Sequence, residues 1–155
     1  MKRLCRRLLG TAILGSVCLL APPSHADDFK VGVRAGYYTK VEEPFVGGEL
    51  LVPLAHRFYF NPNVEYVFVE NGSYITFNGD FHYDFHTHTS TYVWLGGGLG
   101  ALRRDPEGPD NAHTDLAANF LAGIGFRVGR LIPYFQAKVI AKDDSLLSVA
   151  FGVRF

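Results

Sequence analysis

After residue 26 the chain repeats one pattern, a run of about ten residues in which apolar and polar side chains alternate. In the clearest run, residues 75–86, phenylalanine and tyrosine dominate one set of alternate positions, and aspartate, asparagine and histidine dominate the other. A period of two places the two sets on opposite faces of a β-strand, whereas an amphipathic helix needs a period of 3.6. The pattern therefore predicts an all-β fold.

Eight such runs can be distinguished, separated by short segments rich in turn-forming residues. Pro62 falls inside the third run and predicts a bulge there, because proline cannot donate a ladder hydrogen bond. The fifth run is apolar or glycine on both faces, so its alternation does not orient it. The longest connection is 103–114. The candidate strands are 28–38, 45–54, 57–69, 75–86, 92–102, 116–127, 131–141 and 146–155.

The start of the chain has the features of a secretory signal peptide. Four basic residues precede an apolar run from Leu8 to Ala21, and Ser24 and Ala26 supply small residues before a cleavage site. The apolar run is too short for a membrane-spanning helix. We therefore expect a signal peptide at 1–26 and a single mature domain at 27–155.

Removal of the signal peptide changes the composition of what remains. Both cysteines lie in it, so the mature chain has no disulfide. Four of the 15 basic residues lie there but none of the 15 acidic ones, which leaves 11 basic residues and a net charge of −4. This balance argues against a nucleic-acid partner. All 13 Phe, all 8 Tyr and the single Trp remain, and an outer surface buried in lipid would stabilise such a chain.

A barrel of alternating strands is soluble when its apolar face points inward and membrane-embedded when that face points outward. The polar faces favour the membrane barrel, because they carry charges of both signs that could pair in a narrow interior. Glycines within the strands, such as those at 96–98, are typical of tight curvature or a crowded interior. The predicted interior polar network consists of Arg34, Glu49, Glu65, Asp80, His82, Asp84, Arg127, Lys138 and Arg154.

Aromatic residues near the strand ends favour the same interpretation. Membrane barrels carry aromatic girdles where the apolar band meets the two interfaces. The predicted girdle residues are Tyr37, Tyr38, Phe45, Phe58, Tyr59, Tyr92 and Tyr134.

The end of the chain carries a more specific feature. Phe151, Val153 and the last residue, Phe155, occupy alternate apolar positions of the eighth run. Together with the signal peptide and the eight runs, this ending resembles the small outer-membrane barrel families typified by OmpX and the membrane domain of OmpA. The resemblance implies an eight-stranded antiparallel up-and-down transmembrane β-barrel in the bacterial outer membrane. It also implies that these three residues are the signal read by the barrel-assembly machinery.

The same resemblance implies a topology in which both termini lie in the periplasm. The long connection 103–114 would then lie outside the cell, where such barrels carry their long loops. The remaining outer loops would be 39–44, 70–73 and 142–145, and the periplasmic turns 55–56, 87–91 and 129–130.

Three histidines and an aspartate alternate through the end of the fourth run, and neutral imidazoles with a carboxylate could ligate a transition metal. We assign them instead to the interior polar network and to the turn that follows, and we expect no metal and no cofactor. The four residues are His82, Asp84, His86 and His88.

The triplet His88-Thr89-Ser90 is similar to the H-x-S pair of the lipid A deacylase barrels, in which histidine is the base and serine the nucleophile. Thr91 follows the serine where that family has asparagine. The expected topology also puts the triplet at the periplasmic end, whereas lipid A lies in the outer leaflet. We therefore expect no enzymatic activity.

The leading hypothesis is a non-enzymatic outer-membrane protein, with a structural or interaction role and an interior filled by side chains. It would contact outer-membrane lipid and be a monomer. One alternative is a narrow channel or conduit for a hydrophobic ligand, opened by rearranging the internal salt bridges. The other is an outer-membrane lipid-modifying enzyme.

Overall fold

The computed structural model describes residues 29–69, 73–85, 87, 89–105, 113–142 and 145–155. The signal peptide expected at 1–26 lies outside the described residues and stays a prediction. No helix in the described part of the chain is long and apolar enough to cross a membrane. The strands are β1 (Lys30–Tyr38), β2 (Glu43–Ala55), β3 (Phe58–Val67), β4 (Ser73–Phe85), β5 (Thr91–Asp105), β6 (His113–Phe126), β7 (Ile132–Ala141) and β8 (Leu146–Arg154).

Each strand pairs antiparallel with the next, and β8 pairs with β1, so the sheet closes into a barrel. The last rung of the closing ladder is a pair of backbone hydrogen bonds between Val31 and Phe155, with N···O distances of 2.9 and 3.2 Å. Closure gives the backbone N–H and C=O groups of β1 and β8 hydrogen-bond partners, as a sheet in lipid requires. The predicted eight-stranded up-and-down barrel is confirmed.

The two ends of the barrel differ in the connections they carry. One end has the start of β1, the finish of β8 and the connections β2–β3, β4–β5 and β6–β7, and is called the terminal end. The opposite end has the other four connections and is called the loop end.

Apolar and polar residues that alternate along the sequence lie alternately on the outer and the inner face of the barrel wall. Along β8, Val149 and Phe151 are exposed on the outside, and the residues between and beside them are buried inside. The structure also orients β5, which the sequence could not. Its Trp94 and Leu102 are buried inside, and its Leu99 is 70% exposed outside.

The outer surface is apolar on all sides. Leu116 on β6 is 80% exposed, and Phe120, four residues further along the same face, is 62% exposed. Soluble monomers rarely expose contiguous apolar patches larger than a few hundred Å². Because these side chains encircle a closed barrel, the surrounding medium that suits the surface is lipid.

The bulge predicted at Pro62 is wrong. Pro62 pairs in regular register with Gly79 of β4, and the register shift in this part of the sheet lies at Pro53–Ala55, beside the β2–β3 turn. On the β2 side, the side-chain amide of Asn61 donates to the carbonyl oxygen of Leu50 at 2.7 Å. A side-chain donor thus occupies the place of the missing proline N–H, and the ladder continues without an extra residue.

The predicted connection 103–114 is too long. β5 continues to Asp105 and β6 begins at His113, with backbone pairs at Arg103↔Thr114 and Arg104↔His113. Backbone pairing does not require an apolar face, so the ladder continues after the hydrophobic alternation has ended.

The girdle prediction is wrong for most of its residues. Tyr38, Phe45 and Tyr134 are buried in the interior, with exposures of 1%, 1% and 0%. Tyr59 and Tyr92 also lie on inward-facing positions of their strands. Of the seven predicted residues, Tyr37 and Phe58 lie on the outer surface. Position near a strand end does not reveal the face, which depends on parity along the strand.

Candidate functional site

The loop end of the interior is filled by an apolar cluster, which we call the loop-end plug. The rings of Tyr38 and Phe45 are 5.1 Å apart within it. Phe45 fits because the position facing it is Gly36, where a Cβ atom would lie 2.6 Å from the ring. The members of the plug are Tyr38, Phe45, Val67, Tyr74, Leu102, Ala117, Ile140, Leu146 and Ala150.

Next to the plug, six buried charges form a chain in which positive and negative groups alternate. At its terminal-end side, Nε of Arg154 lies 2.7 Å from Oε1 of Glu49. The other oxygen of Glu49 lies 3.6 Å from Nη1 of Arg34. The chain runs in the order Arg154, Glu49, Arg34, Glu65, Lys138 and Asp80.

The second half of this charge chain is equally close. Nη2 of Arg34 lies 3.0 Å from Oε1 of Glu65, and Nζ of Lys138 lies 3.7 Å from the same oxygen. Lys138 also lies 3.0 Å from Oδ2 of Asp80. The six groups carry three charges of each sign, so the buried interior is electrically balanced, the condition under which buried ions are tolerated.

Neutral side chains complete the coordination of the carboxylates. The hydroxyl groups of Tyr38 and Thr76 donate to Oε2 of Glu65 at 2.5 and 3.1 Å. The amide of Asn119 donates to Oδ1 of Asp80 at 2.9 Å. A buried carboxylate needs such donors in addition to its ion pair, because each lone pair left without a partner costs free energy.

Sequence reasoning missed these neutral partners as members of the network, although a signal for them was present. All but one of them stand two or four residues from a predicted charge and therefore on the same face of its strand. Those that belong to the hydrogen-bonded interior are Asn61, Asn63, Thr76, Asn78 and Asn119. Asn119 has on its own strand face Asp115, four residues away, but Asp115 is not one of the predicted charges, so only the pairing of strands reveals Asn119.

At the terminal end, a layer of aromatic rings covers the charge chain. The guanidinium of Arg154 lies 4.9 Å from the ring centre of Trp94 and 4.4 Å from that of Tyr134. Both rings lie against glycines of neighbouring strands: a Cβ on Gly123 would lie 2.2 Å from Trp94, and one on Gly152 would lie 2.4 Å from Tyr134. Gly123, one of the strand glycines that indicated a crowded interior, thus makes room for Trp94, and Gly152 makes room for Tyr134.

His82 is buried inside but does not belong to the charge chain. Its ring lies between those of Tyr59 and Trp94, at centroid distances of 5.6 and 5.7 Å. Its Nε2 lies 3.3 Å from Oδ1 of Asp84, which is partly exposed at the terminal end. The inward-facing positions predicted for β4 thus include His82 and also Asp84, the residue before the last one of the strand.

The metal hypothesis rests in part on His86 and His88, which lie outside the described residues, as does the histidine of the His88-Thr89-Ser90 triplet. Within the described ranges, no group of three or more His, Cys, Asp or Glu side chains is arranged to hold a metal ion.

Arg127 is the predicted interior residue that the structure places elsewhere. β6 ends at Phe126, and the side chain of Arg127 is exposed at the terminal end, with its guanidinium 4.9 Å from the ring centre of Tyr92. The prediction that it belongs to the interior network is wrong, because the strand alternation stops one residue before it.

No family model matches the chain, and no curated protein matches it. Among solved structures, the N-terminal β-barrel domain of OprF from Pseudomonas aeruginosa is similar with a TM-score of 0.61 and 13% identity, over 82% of this chain and 96% of that one. Neisserial surface protein A has a TM-score of 0.57 and 17% identity, over 81% and 95%. The outer membrane enzyme PagL has a TM-score of 0.58 and 15% identity, over 81% and 98%.

At these identities the likeness defines the fold. The chain is an eight-stranded transmembrane β-barrel of the kind found in outer-membrane proteins, as its closed sheet and apolar outer surface also require.

Proposed function

We propose that the protein is a non-enzymatic barrel of the bacterial outer membrane, with a structural or interaction role and no open pore. The observation that carries this proposal is the filled interior. The loop-end plug, the charge chain and the aromatic layer follow one another along the barrel axis. Eight strands enclose an interior just wide enough for side chains, so such layers leave little room for a solute.

The location is supported by the apolar outer surface and by the signal peptide expected at 1–26. Membrane fractionation combined with a gel of heated and unheated samples tests both location and closure. We expect the protein in the outer-membrane fraction, with a mobility that changes on heating. A soluble periplasmic protein with no such change would contradict the proposal.

The absence of a pore is tested by conductance of the refolded protein in a planar bilayer. We expect no steady conductance from the native chain. Replacing both Tyr38 and Phe45 by alanine removes the two large rings of the loop-end plug and should make brief openings more frequent. Phe120→Ala, a ring removed from the outer face, is the matched control and should change nothing. Steady conductance of the native chain would favour the channel alternative.

The comparison with PagL shows that the fold alone does not exclude catalysis, because that protein is named as an enzyme. The burial of His82 between two rings supports a non-enzymatic role for that residue. Mass spectrometry of lipid A from cells with and without the protein tests the enzyme alternative. We expect identical acylation profiles. An altered profile that Ser90→Ala abolishes would identify the triplet as catalytic.

We further propose that outer-membrane lipid surrounds a single barrel and that the barrel-assembly machinery recognises Phe151, Val153 and Phe155. The closed sheet supports the monomer, because it offers no strand edge to a second copy. The exposed positions of Phe151 and Phe155 on the outer face leave their rings accessible to an assembly factor.

A further inference from the structure

The turn between β6 and β7, residues 127–131, carries two arginines that the interior of the barrel does not use. Both Arg127 and Arg130 are exposed at the terminal end. Within the described part of the chain, neither guanidinium forms an ion pair or a hydrogen bond. The acidic side chain that lies at the same end, Asp84, is 3.3 Å from Nε2 of His82 instead. The turn therefore presents two positive charges that no described carboxylate neutralises.

The backbone of this turn is fixed, so its side chains are held in place. Val128 and Leu131 pair across the turn through two hydrogen bonds, with N···O distances of 2.8 and 3.1 Å. Gly129, between them, has a φ of 63°, a conformation that two-residue hairpin turns require and that glycine adopts without strain. The N–H of Arg127 donates to the carbonyl oxygen of Ser90 at 2.8 Å. A turn that is already ordered loses little conformational entropy when it binds a ligand.

The apolar outer surface of the barrel continues along this turn to its tip. Val128 is 61% exposed and Leu131 is 48% exposed. Because paired residues of a hairpin project to the same face, these two side chains lie together. Alternation places them on the outward face that also carries Phe126 and Phe135. Lipid-facing apolar residues thus alternate with the two arginines along the turn, an arrangement that suits a ligand with an anionic part and an apolar part.

Guanidinium groups bind phosphate through charge-assisted hydrogen bonds. A zwitterionic headgroup also brings an ammonium group, which the two arginines repel, whereas an anionic headgroup brings the phosphate charge alone. We propose that the β6–β7 turn binds an anionic glycerophospholipid, with its phosphate at Arg127 and Arg130 and an acyl chain along Val128 and Leu131. This inference rests on the lipid surroundings proposed above and adds to them a preference for one class of headgroup.

The test is native mass spectrometry of the refolded protein released from nanodiscs that contain equal amounts of dioleoyl phosphatidylglycerol and dioleoyl phosphatidylethanolamine. The two lipids share the acyl chains and the phosphodiester and differ in the charge of the headgroup. We expect retention of phosphatidylglycerol about tenfold over phosphatidylethanolamine. Equal retention by a barrel that has inserted would overturn the headgroup site alone, whereas a chain that does not insert would overturn the membrane location as well.

Variants of the turn assign the preference to its two arginines. Arg130→Gln should lower the preference from about tenfold to about threefold, and replacing Arg127 by glutamine as well should abolish it, since the charged donors to the phosphate are lost. Lys40→Gln is the matched control, because it removes one exposed cation from the loop end, and it should leave the preference unchanged. An equal loss with Lys40→Gln and Arg130→Gln would show general attraction to positive charge and overturn the site.

A further arm separates a lipid from a free anion with the same chemistry. Replacing both Val128 and Leu131 by serine should lower retention of both lipids about fivefold, because the contact with the acyl chain is lost. Inorganic phosphate at the concentration of the lipid should not displace phosphatidylglycerol from the native chain. Displacement by phosphate at that concentration would overturn the lipid assignment. Each variant is first checked for the heat-dependent gel shift, and the comparison of the two lipids on the native chain decides even if a variant does not refold.

Discussion

At the scale of single residues, the charges of the interior differ in how many partners each one holds. Glu49 lies near two arginines, and Glu65 lies near an arginine and a lysine. Lys138 is the member of the chain that lies closest to Asp80. Loss of Lys138 therefore has a larger consequence than its single charge suggests, because the carboxylate of Asp80 stays behind.

We expect Lys138→Met, which keeps the length of the side chain and removes its charge, to destabilise the refolded barrel by about 3–5 kcal/mol. The urea midpoint of the protein refolded in lipid vesicles measures the effect. Arg127→Met is the matched control and should leave the midpoint unchanged, because Arg127 is exposed. Equal midpoints for both variants would mean that the interior network contributes nothing to stability.

A second expectation at this scale concerns glycine. A Cβ on Gly123 would lie 2.2 Å from the ring of Trp94, whereas one on Gly48 would lie 3.9 Å from the carbonyl oxygen of Gly32. Gly123→Ala should therefore cost about 1–3 kcal/mol through overpacking. Gly48→Ala should be close to neutral. Urea midpoints and the fluorescence of the single tryptophan, Trp94, report both effects, and a neutral Gly123→Ala would mean that the aromatic layer is loosely packed.

At the scale of the strand, neighbouring residues obey different rules because they face different media. On β4, Phe81 lies outside, with its ring centre 4.8 Å from that of Phe60, while its neighbour His82 lies inside, 1% exposed. The environment of a residue in this barrel thus changes completely with a step of one position.

Phe81→Arg should destabilise the barrel in bilayers by about 2–4 kcal/mol, because the charge is placed in the apolar band. Val128→Arg, on the exposed β6–β7 turn, is the control and should cost no more than about 1 kcal/mol. Unfolding titrations in vesicles measure both. If Phe81→Arg instead rendered the protein soluble without detergent, the outer surface would not be a lipid surface.

At the scale of the whole molecule, closure depends on pairing the first strand with the last. The hydrogen bonds between Val31 and Phe155 form the final rung, and the ring of Phe155 is 57% exposed. Its contribution to the folded barrel is therefore modest, and its proposed role in assembly is separable from stability.

Deletion of Phe155 should cost the refolded barrel no more than about 1.5–3 kcal/mol. In cells we expect a larger effect, with the truncated chain exported, cleaved after Ala26, and then degraded or retained in the periplasm. Outer-membrane abundance, compared with refolded stability, distinguishes the two effects. Phe155→Ala keeps the backbone rung and removes only the ring, so normal abundance of that variant would contradict the assembly role.

The sequence by itself determined the strands, their number and the separation of their faces, because a period of two is a local property of the chain. It therefore predicted that charges of both signs, such as Glu65 and Lys138, lie on inward faces. The predictions were wrong at positions where the local alternation of polar and apolar residues does not determine the structure. Pro62 kept its register through the side chain of Asn61, and Arg127 follows the last strand residue rather than continuing the strand.

Only the tertiary structure decided which inward side chains meet. Arg154 and Glu49 are separated by 105 residues in the chain and become partners through the closing strand pair. The neighbours of Tyr38 in the plug and of Tyr134 in the aromatic layer also come from other strands. These contacts depend on register and closure, which are set by pairing between distant segments and cannot be read from the alternation within any one of them.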